Sequence, residues 1–292
     1  MNFRTDLAIE MQEYHKKRTL DGVLSHTQSF GNVSVTTIEI INSEGESLLG
    51  KPKGKYITIE TDKLYNSSEE FSDVAGVLCR ELRNLIPQEG TVLVAGLGNE
   101  DITPDALGPK ALKQLLATRH ISTELAEGLG LGELRSVAGI VPGVLGKTGI
   151  ETVEIIDGVV RKISPACVIV IDALAARSTA RLGRTLQLAD TGVAPGSGVG
   201  NRRKGINRET LGVPVIAIGV PTVVDALTVV SDILENTDTD FDGNDFLQHR
   251  QMMVTPKEID SLTDKASRLI AMGINMALQK NLTAEDIAEI TG

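Results

Sequence analysis

Apolar and polar residues alternate with a period of two over residues 34–41 and 55–61, and both runs are rich in β-branched side chains. That pattern predicts two strands of a hairpin or small sheet, with the Gly/Lys/Pro-rich stretch GESLLGKPKGK as the turn between them. At 68–85 the period changes, and Phe71, Val74, Val77, Leu78 and Leu82 recur at helical spacing. GTVLVAG (90–96) is short and wholly apolar, as a strand is when both of its faces are covered. The theme then repeats: a helix over 104–117, a helix in GIETVEIIDGVVRKI, and a second buried strand in ACVIVIDAL. GRTLQLAD reads as an edge strand, GVPVIAIGV as a third buried strand and PTVVDALTVVSDIL as the helix it feeds. Near the end, Thr255 as cap, Pro256 in the first turn and Glu258 closing a capping box predict a long helix. Its apolar face is Ile259, Leu262, Ala266, Leu269, Ile270, Gly273 and Met276.

Buried strands alternating with helices imply an α/β three-layer sandwich. The expected core is a mostly parallel, twisted sheet flanked by helices, with a small additional β region at about 30–62. LENTDTDFDGNDFLQHRQ (234–251) is acidic and turn-rich, reads as a mobile loop, and lacks the closing Glu of a calcium loop.

Composition narrows the function classes. At 292 residues and 41% hydrophobic content the chain can bury a sizeable core. No apolar run reaches the roughly 18 residues of a membrane span, and the N-terminus MNFRTDLAIEMQEYHKK has no apolar core of a secretory signal. Two cysteines, Cys79 and Cys167, have no Cys or His at metal spacing and read as buried, reduced thiols of a cytoplasmic protein. A net charge of −10 argues against a nucleic-acid surface, and 3% aromatics without Trp against stacking platforms.

The candidate chemistry starts at GLGNEDITPDALGP (96–109). Gly96 and Gly98 leave a buried strand as in a nucleotide-binding turn, but Asp101 stands where the third glycine belongs. The helix beyond opens with Thr103-Pro104-Asp105 and offers no Lys or Ser/Thr for a phosphate. In open α/β sheets, ligands gather beyond the carboxyl ends of strands. Asp105 follows the first buried strand through this turn, and Asp172 ends the second. Facing carboxylates cannot both ionise cheaply, so the pair could supply an acid and a base to one water. The spacing is equally compatible with an Asp105 placed by the helix dipole and an Asp172 capping the next helix.

The glycine-rich loop 192–212 carries Arg202, Arg203 and Lys204, which could meet an acidic partner, although a surface loop explains them too. Ser197 is not in a G-x-S-x-G elbow, and His15, His26, His120 and His249 have no evident catalytic partner.

RTDLAIE, GLGNEDITPDALGP, PGVLGKTGIET, VIVIDALAAR, GSGVGNRRKGINRETLGVPVIAIGVPTVVDA and MMVTPKEID, in this order, resemble the germination proteases of endospore-forming bacteria. The resemblance implies an atypical aspartic peptidase with a fold similar to the hydrogenase maturation proteases. Such an enzyme degrades the small acid-soluble proteins of the spore and is made as a tetrameric, self-processing zymogen in the forespore and spore core. The two essential aspartates of the motifs T-P-D-A-L-G and I-D-A-L fall on Asp105 and Asp172, and Glu151 in TGIET is a possible assisting acid. Thr5-Asp6-Leu7-Ala8-Ile9-Glu10 looks like a copy of the family's substrate motif, so self-cleavage is expected between Asp6 and Leu7. That makes 1–6 the candidate propeptide and 7–292 a single peptidase domain. Alternatively, Leu7 to Tyr14 starts a surface helix capped by Thr5 or Asp6, and both can hold together.

No cofactor, metal, membrane or direct nucleic-acid partner is expected. Two other readings stay open. In one, a metal sits between Asp105 and Asp172, as related maturation proteases use their acids on nickel, although no His is at hand. In the other, the 192–212 loop makes the chain a non-enzymatic nucleotide- or anion-binding protein.

Overall fold

The computed structural model of the chain describes residues 5–15, 21–61, 68–196, 203–226, 228–230 and 252–291. In chain order the strands are β1 (Val23–Phe30), β2 (Val33–Ile40), β3 (Gly54–Glu60), β4 (Val92–Gly96), β5 (Val137–Ile140), β6 (Cys167–Ala176), β7 (Thr185–Ala189), β8 (Val215–Asp225) and β9 (Met253–Val254). The helices are α1 (Ala8–Tyr14), α2 (Ser43–Leu49), α3 (Ser68–Leu85), α4 (Leu107–Leu112), α5 (Thr123–Gly128), α6 (Leu145–Thr148), α7 (Thr152–Ile163) and α8 (Arg208–Leu211). A long helix, Ile259–Leu278, and a short one, Ala284–Thr291, close the chain.

The described strands form one nine-stranded sheet in the order β1-β2-β3-β7-β8-β6-β4-β5, with β9 against the end of β8. Helices cover both faces, so the α/β three-layer architecture expected from the sequence is the one the chain adopts. The sheet is mixed rather than mostly parallel. β5, β4, β6 and β8 run parallel, whereas β7, β3, β2 and β1 continue it antiparallel. The reason lies in the connection after β6. A parallel crossover needs a dozen or more residues, and only residues 177–184 separate β6 from β7. The N-terminal β region then joins the same sheet, because β3 pairs with β7 from Tyr56↔Ala189 to Glu60↔Thr185. This also makes β7 an interior strand, buried at all five positions, where its sequence suggested an edge.

Four other expectations change. The turn GESLLGKPKGK opens with α2, capped by the Asn42 side chain on the Gly45 N–H and ended by Gly50 in the left-handed conformation. Residues 221–225 continue β8 instead of starting a helix. Pro221 is tolerated there because it sits at a register shift against Leu174 and Ala175, where the ladder is already irregular. The long C-terminal helix begins at Ile259 with Glu258 as its cap residue, and no side chain caps it; the Thr255 hydroxyl turns to the Pro256 carbonyl instead. The predicted helix over 104–117 is a 3₁₀ turn at Thr103–Asp105 followed by the short α4. The acidic stretch 234–251, with His249, lies outside the described residues, as do Ser197 and Arg202.

The core has three parts. On one face of the sheet, α3 and the long helix pack on Ile169, Ile171, Leu188 and Ile218. On the other face, α7 and α8 cover Leu93, Val168 and Val170, while α1 and α2 cover Ile38, Tyr56, Leu174 and Ala189. Cys79 and Cys167 are free and buried, and burial pushes the Cys167 thiol up to about 11. α1 is not a surface helix: Leu7 and Ala8 are fully buried and Ile9 nearly so. Burial of Leu7 and Ile9 contributes roughly 1.5–3 kcal/mol each to holding the N-terminal segment against the sheet.

Candidate active site

Between the two parts of the core on the second face lies a cleft of about 440 Å³, lined among others by Asp6, Asp105, Glu151, Asp172 and Arg203. The glycines of GLGNEDITPDALGP shape its floor. Gly98 has φ of +108°, and a Cβ there would stand 1.9 Å from the Asp105 carbonyl oxygen. Gly96 and Gly108 let β4 and α4 touch: a Cβ on Gly108 would lie 2.4 Å from the Leu97 backbone. The turn is tied to the sheet by Leu97 N–H on the Ile171 carbonyl (2.8 Å) and by the Thr222 hydroxyl on the Pro104 carbonyl (2.7 Å). The result presents Asp105 at the cleft, where its Oδ2 accepts the Asn99 N–H at 2.8 Å. Asp101, in the place of the missing glycine, is exposed and pairs with Lys147.

Asp172 does not end its strand or cap a helix. β6 runs four residues further, so the carboxyl stands in mid-strand, where its Oδ1 accepts the Ala173 N–H at 3.0 Å. It is 8% exposed. Burial drives its pKa well above the usual carboxylate range, and the nearby Asp105 and then Asp6 push it further in the same direction. Burial also raises Asp105, against the opposing pull of the Asn99 N–H. The two acids singled out by sequence therefore share one cleft and interact electrostatically, with Asp172 the better holder of a proton.

The N-terminal segment enters the same cleft. The Asp6 N–H donates to the Ala175 carbonyl, and the Asp6 carboxylate accepts the Ala175 N–H, each at 2.9 Å. The Asp6 carbonyl accepts from Lys51 Nζ at 2.9 Å and from Gln187 Nε2 at 3.0 Å. Thr5 and Asp6 are thus not helix caps. The Thr5 hydroxyl accepts the Leu7 N–H at 3.0 Å and donates to the Glu10 carboxylate. Glu10, only 4% exposed, also takes the N–H groups of Arg177 and Ser178. Burial pushes the Lys51 ammonium down, while the Asp6 and Glu10 carboxylates oppose that shift.

Of the remaining candidates, Glu151 lines the cleft as the residue before α7. Arg203 reaches the cleft rim, whereas Lys204 is exposed away from its lining. Among the described residues no group of three His, Cys, Asp or Glu side chains is placed to hold a metal ion, and no helix is long and apolar enough to cross a membrane. Sequence reasoning missed Lys51 and Gln187. Gln187 left a signal, a polar amide between two leucines of a buried strand; Lys51 was hidden in a basic turn.

Comparison with known proteins identifies the family. The family model described as germination protease matches residues 4–244. The germination protease of Clostridium perfringens is 44% identical, with 98% of each chain covered. That of Clostridium tetani is 41% identical over 98% of each, and that of Bacillus velezensis 36% identical over 97% of this chain and 95% of its own. Among solved structures, the [NiFe] hydrogenase maturation protease HycI of Thermococcus kodakarensis is similar at 16% identity, with a TM-score of 0.38, covering 66% of this chain and 98% of its own. A family match over most of the chain, with relatives this similar along their full length, makes the chain a member of the germination protease family and a protease.

Proposed function

We propose that this chain is the endopeptidase that opens the degradation of small acid-soluble spore proteins during germination. In this reading it is made in the forespore as a precursor and removes its own residues 1–6 by cutting between Asp6 and Leu7. Asp172, buried and facing two other carboxylates, keeps its proton and serves as the acid. Asp105, less buried and with its carboxylate form stabilised by the Asn99 N–H, serves as the base that takes a proton from water.

The observation that carries the reading is the position of the segment Thr5–Glu10. Its Asp6 lines the same cleft as Asp105 and Asp172 and pairs with the strand that bears Asp172. A copy of a substrate held this way also accounts for an inactive precursor, because Asp6 occupies the lane a substrate would need. Six residues suffice for inhibition when the contacts that block the cleft are made by Asp6 itself. The cut is then unimolecular, since the segment occupies its own chain's cleft. Arg203, at the rim, is the described residue of the basic loop placed to meet an acidic substrate. Assembly into a tetramer belongs to the same proposal and is read by light scattering of the intact precursor. A non-enzymatic anion-binding role is incompatible with membership of a protease family.

The test is the mass of the precursor before and after mild acidification and drying. Residues 1–6 should be lost with a rate constant unchanged by dilution. Asp105→Asn and Asp172→Asn should keep the segment and leave an acid-soluble spore protein intact. Full activity in either variant would sink the assignment.

A further inference from the structure

The peptide bond between Asp6 and Leu7 is held from both sides by side chains to which the mechanism above gives no part. Gln187 spans it: its Nε2 donates to the Asp6 carbonyl at 3.0 Å, and its Oε1 accepts the Ala8 N–H at 2.7 Å. Lys51 supplies a second donor to the same carbonyl oxygen at 2.9 Å. An amide in the middle of β7 is a costly choice for packing, since every other residue of that strand is apolar or Thr and all are buried. Both of its ends are spent on one stretch of the N-terminal segment.

The sheet register sets Gln187 opposite the catalytic acid. Gln187 pairs with Gly219, and Gly219 pairs with Asp172, so the two polar side chains face the same side, two strands apart. Strand spacing puts their backbones roughly 10 Å from each other. Between them Gly219 carries no side chain and lets Leu174 close over it; a Cβ there would stand 2.5 Å from Leu174 Cγ and 2.8 Å from the Asp172 carbonyl oxygen. Lys51 is delivered from the other side. It follows the left-handed Gly50 at the end of α2, and its ammonium sits 6.0 Å from the centre of the Tyr56 ring. The Tyr56 hydroxyl is itself fixed on the Pro52 carbonyl at 2.8 Å.

We propose that Lys51 and Gln187 form the electrophilic clamp of the self-cleavage reaction, holding the Asp6 carbonyl oxygen as it becomes an oxyanion. The proposal rests on the reading that the chain cuts itself between Asp6 and Leu7. Water oxygen bonds to the Asp6 carbonyl carbon, and its proton passes to the ionised Asp105. The carbonyl π pair moves onto the oxygen between Lys51 Nζ and Gln187 Nε2. When the C=O re-forms, the C–N bond breaks, and the Asp172 carboxyl gives its proton to the Leu7 nitrogen. Donors already in place strengthen as charge develops on that oxygen, which is the condition for lowering the barrier.

Self-cleavage of the full chain, followed by mass, separates the possibilities. Lys51→Met and Gln187→Glu each remove one donor, and the second keeps the acceptor for the Ala8 N–H. Each should slow loss of residues 1–6 by about 10²–10³-fold, while Lys51→Arg, which keeps a cationic donor, stays within about tenfold of the parent. Melting temperatures report whether folding is intact. If Lys51→Met does not fold, Gln187→Glu against Lys51→Arg decides. Cleavage by Lys51→Met and Gln187→Glu within about threefold of the parent would overturn the clamp and leave the cut site standing. A parent that never loses residues 1–6, or an Asp172→Asn variant that loses them as fast, would overturn the underlying reading and this proposal with it.

Discussion

The two faces of the sheet are built from the same strands and do opposite things. In β6, Ile169 and Ile171 point to the face closed by α3 and the long C-terminal helix, while Val168, Val170 and then Asp172 point to the other. On the closed face the strands offer only apolar contact, with Ile169, Ile171, Leu188 and Ile218 among aliphatic neighbours. There a Cβ added to Gly273 would meet Leu78 at 2.5 Å, so the two helices pack at the limit of approach. On the open face the apolar cover is split into two clusters, and the acids stand in the gap. The difference lies in one register row, Gln187–Gly219–Asp172, where polar groups and a bare glycine replace aliphatic side chains. One face shows what holds the fold; the other shows how much of that packing was given up for a site.

That contrast can be broken from either side. The largest effect should come from Asp172→Asn, which lowers proteolysis by roughly 10²–10⁴-fold and yet stabilises the protein. Since burial and neighbouring acids raise the folded-state pKa of Asp172, folding favours its protonated form. The associated stability is present below the unfolded value and is lost as pH rises towards the folded one. The variant's advantage in melting temperature should therefore widen from about pH 4 upward, by roughly 2–4 °C for each kcal/mol relieved. An equal or lower melting temperature at neutral pH would contradict that cost.

Gly98→Ala should come next. Its Cβ would force the turn off Asp105, and a displacement near 1 Å at a reacting group costs about 10²-fold in rate. Gly273→Ala addresses the closed face. It should cost about 1–3 kcal/mol in chemical denaturation while each folded molecule still processes normally; a loss of specific activity would mean that the faces are not separable. Arg203→Ala should be the mildest, raising KM for an acidic spore protein by less than about fivefold and only at low salt. An unchanged salt dependence would remove Arg203 from substrate contact.

The closed face was the more legible of the two. β4, β6 and β8 were readable because strands covered on both sides become unbroken apolar runs, and α3 and the last long helix because their buried residues keep helical spacing. β1 was silent, since it is exposed along most of its length and carries no inward stripe. Pro221 misled because proline opens helices more often than it occupies a bulge in a strand. β7 looked like an edge because its cover, β3, arrives from more than a hundred residues away. For the site, the sequence set Asp105 and Asp172 beyond two buried strands, although Asp172 in fact stands in mid-strand, and spacing alone could not tell them from ordinary caps. The resemblance of the motifs to a family singled them out, and the structure adds that both carboxyls line one cleft and are raised by burial. Gln187 and Lys51 were out of reach because their role depends on a third segment docking between them.

The docking of that segment also sets a timetable. Asp6 binds Ala175, and Ala8 binds Gln187, across separations of 169 and 179 residues. A chain leaving the ribosome from its N-terminus carries residues 5–10 long before β6, β7 and β8 exist to receive them. Contacts so distant along the chain form late, after the strands they bridge have paired. Residues 5–10 are thus made early and secured late, once the sheet that carries Asp105 and Asp172 is complete.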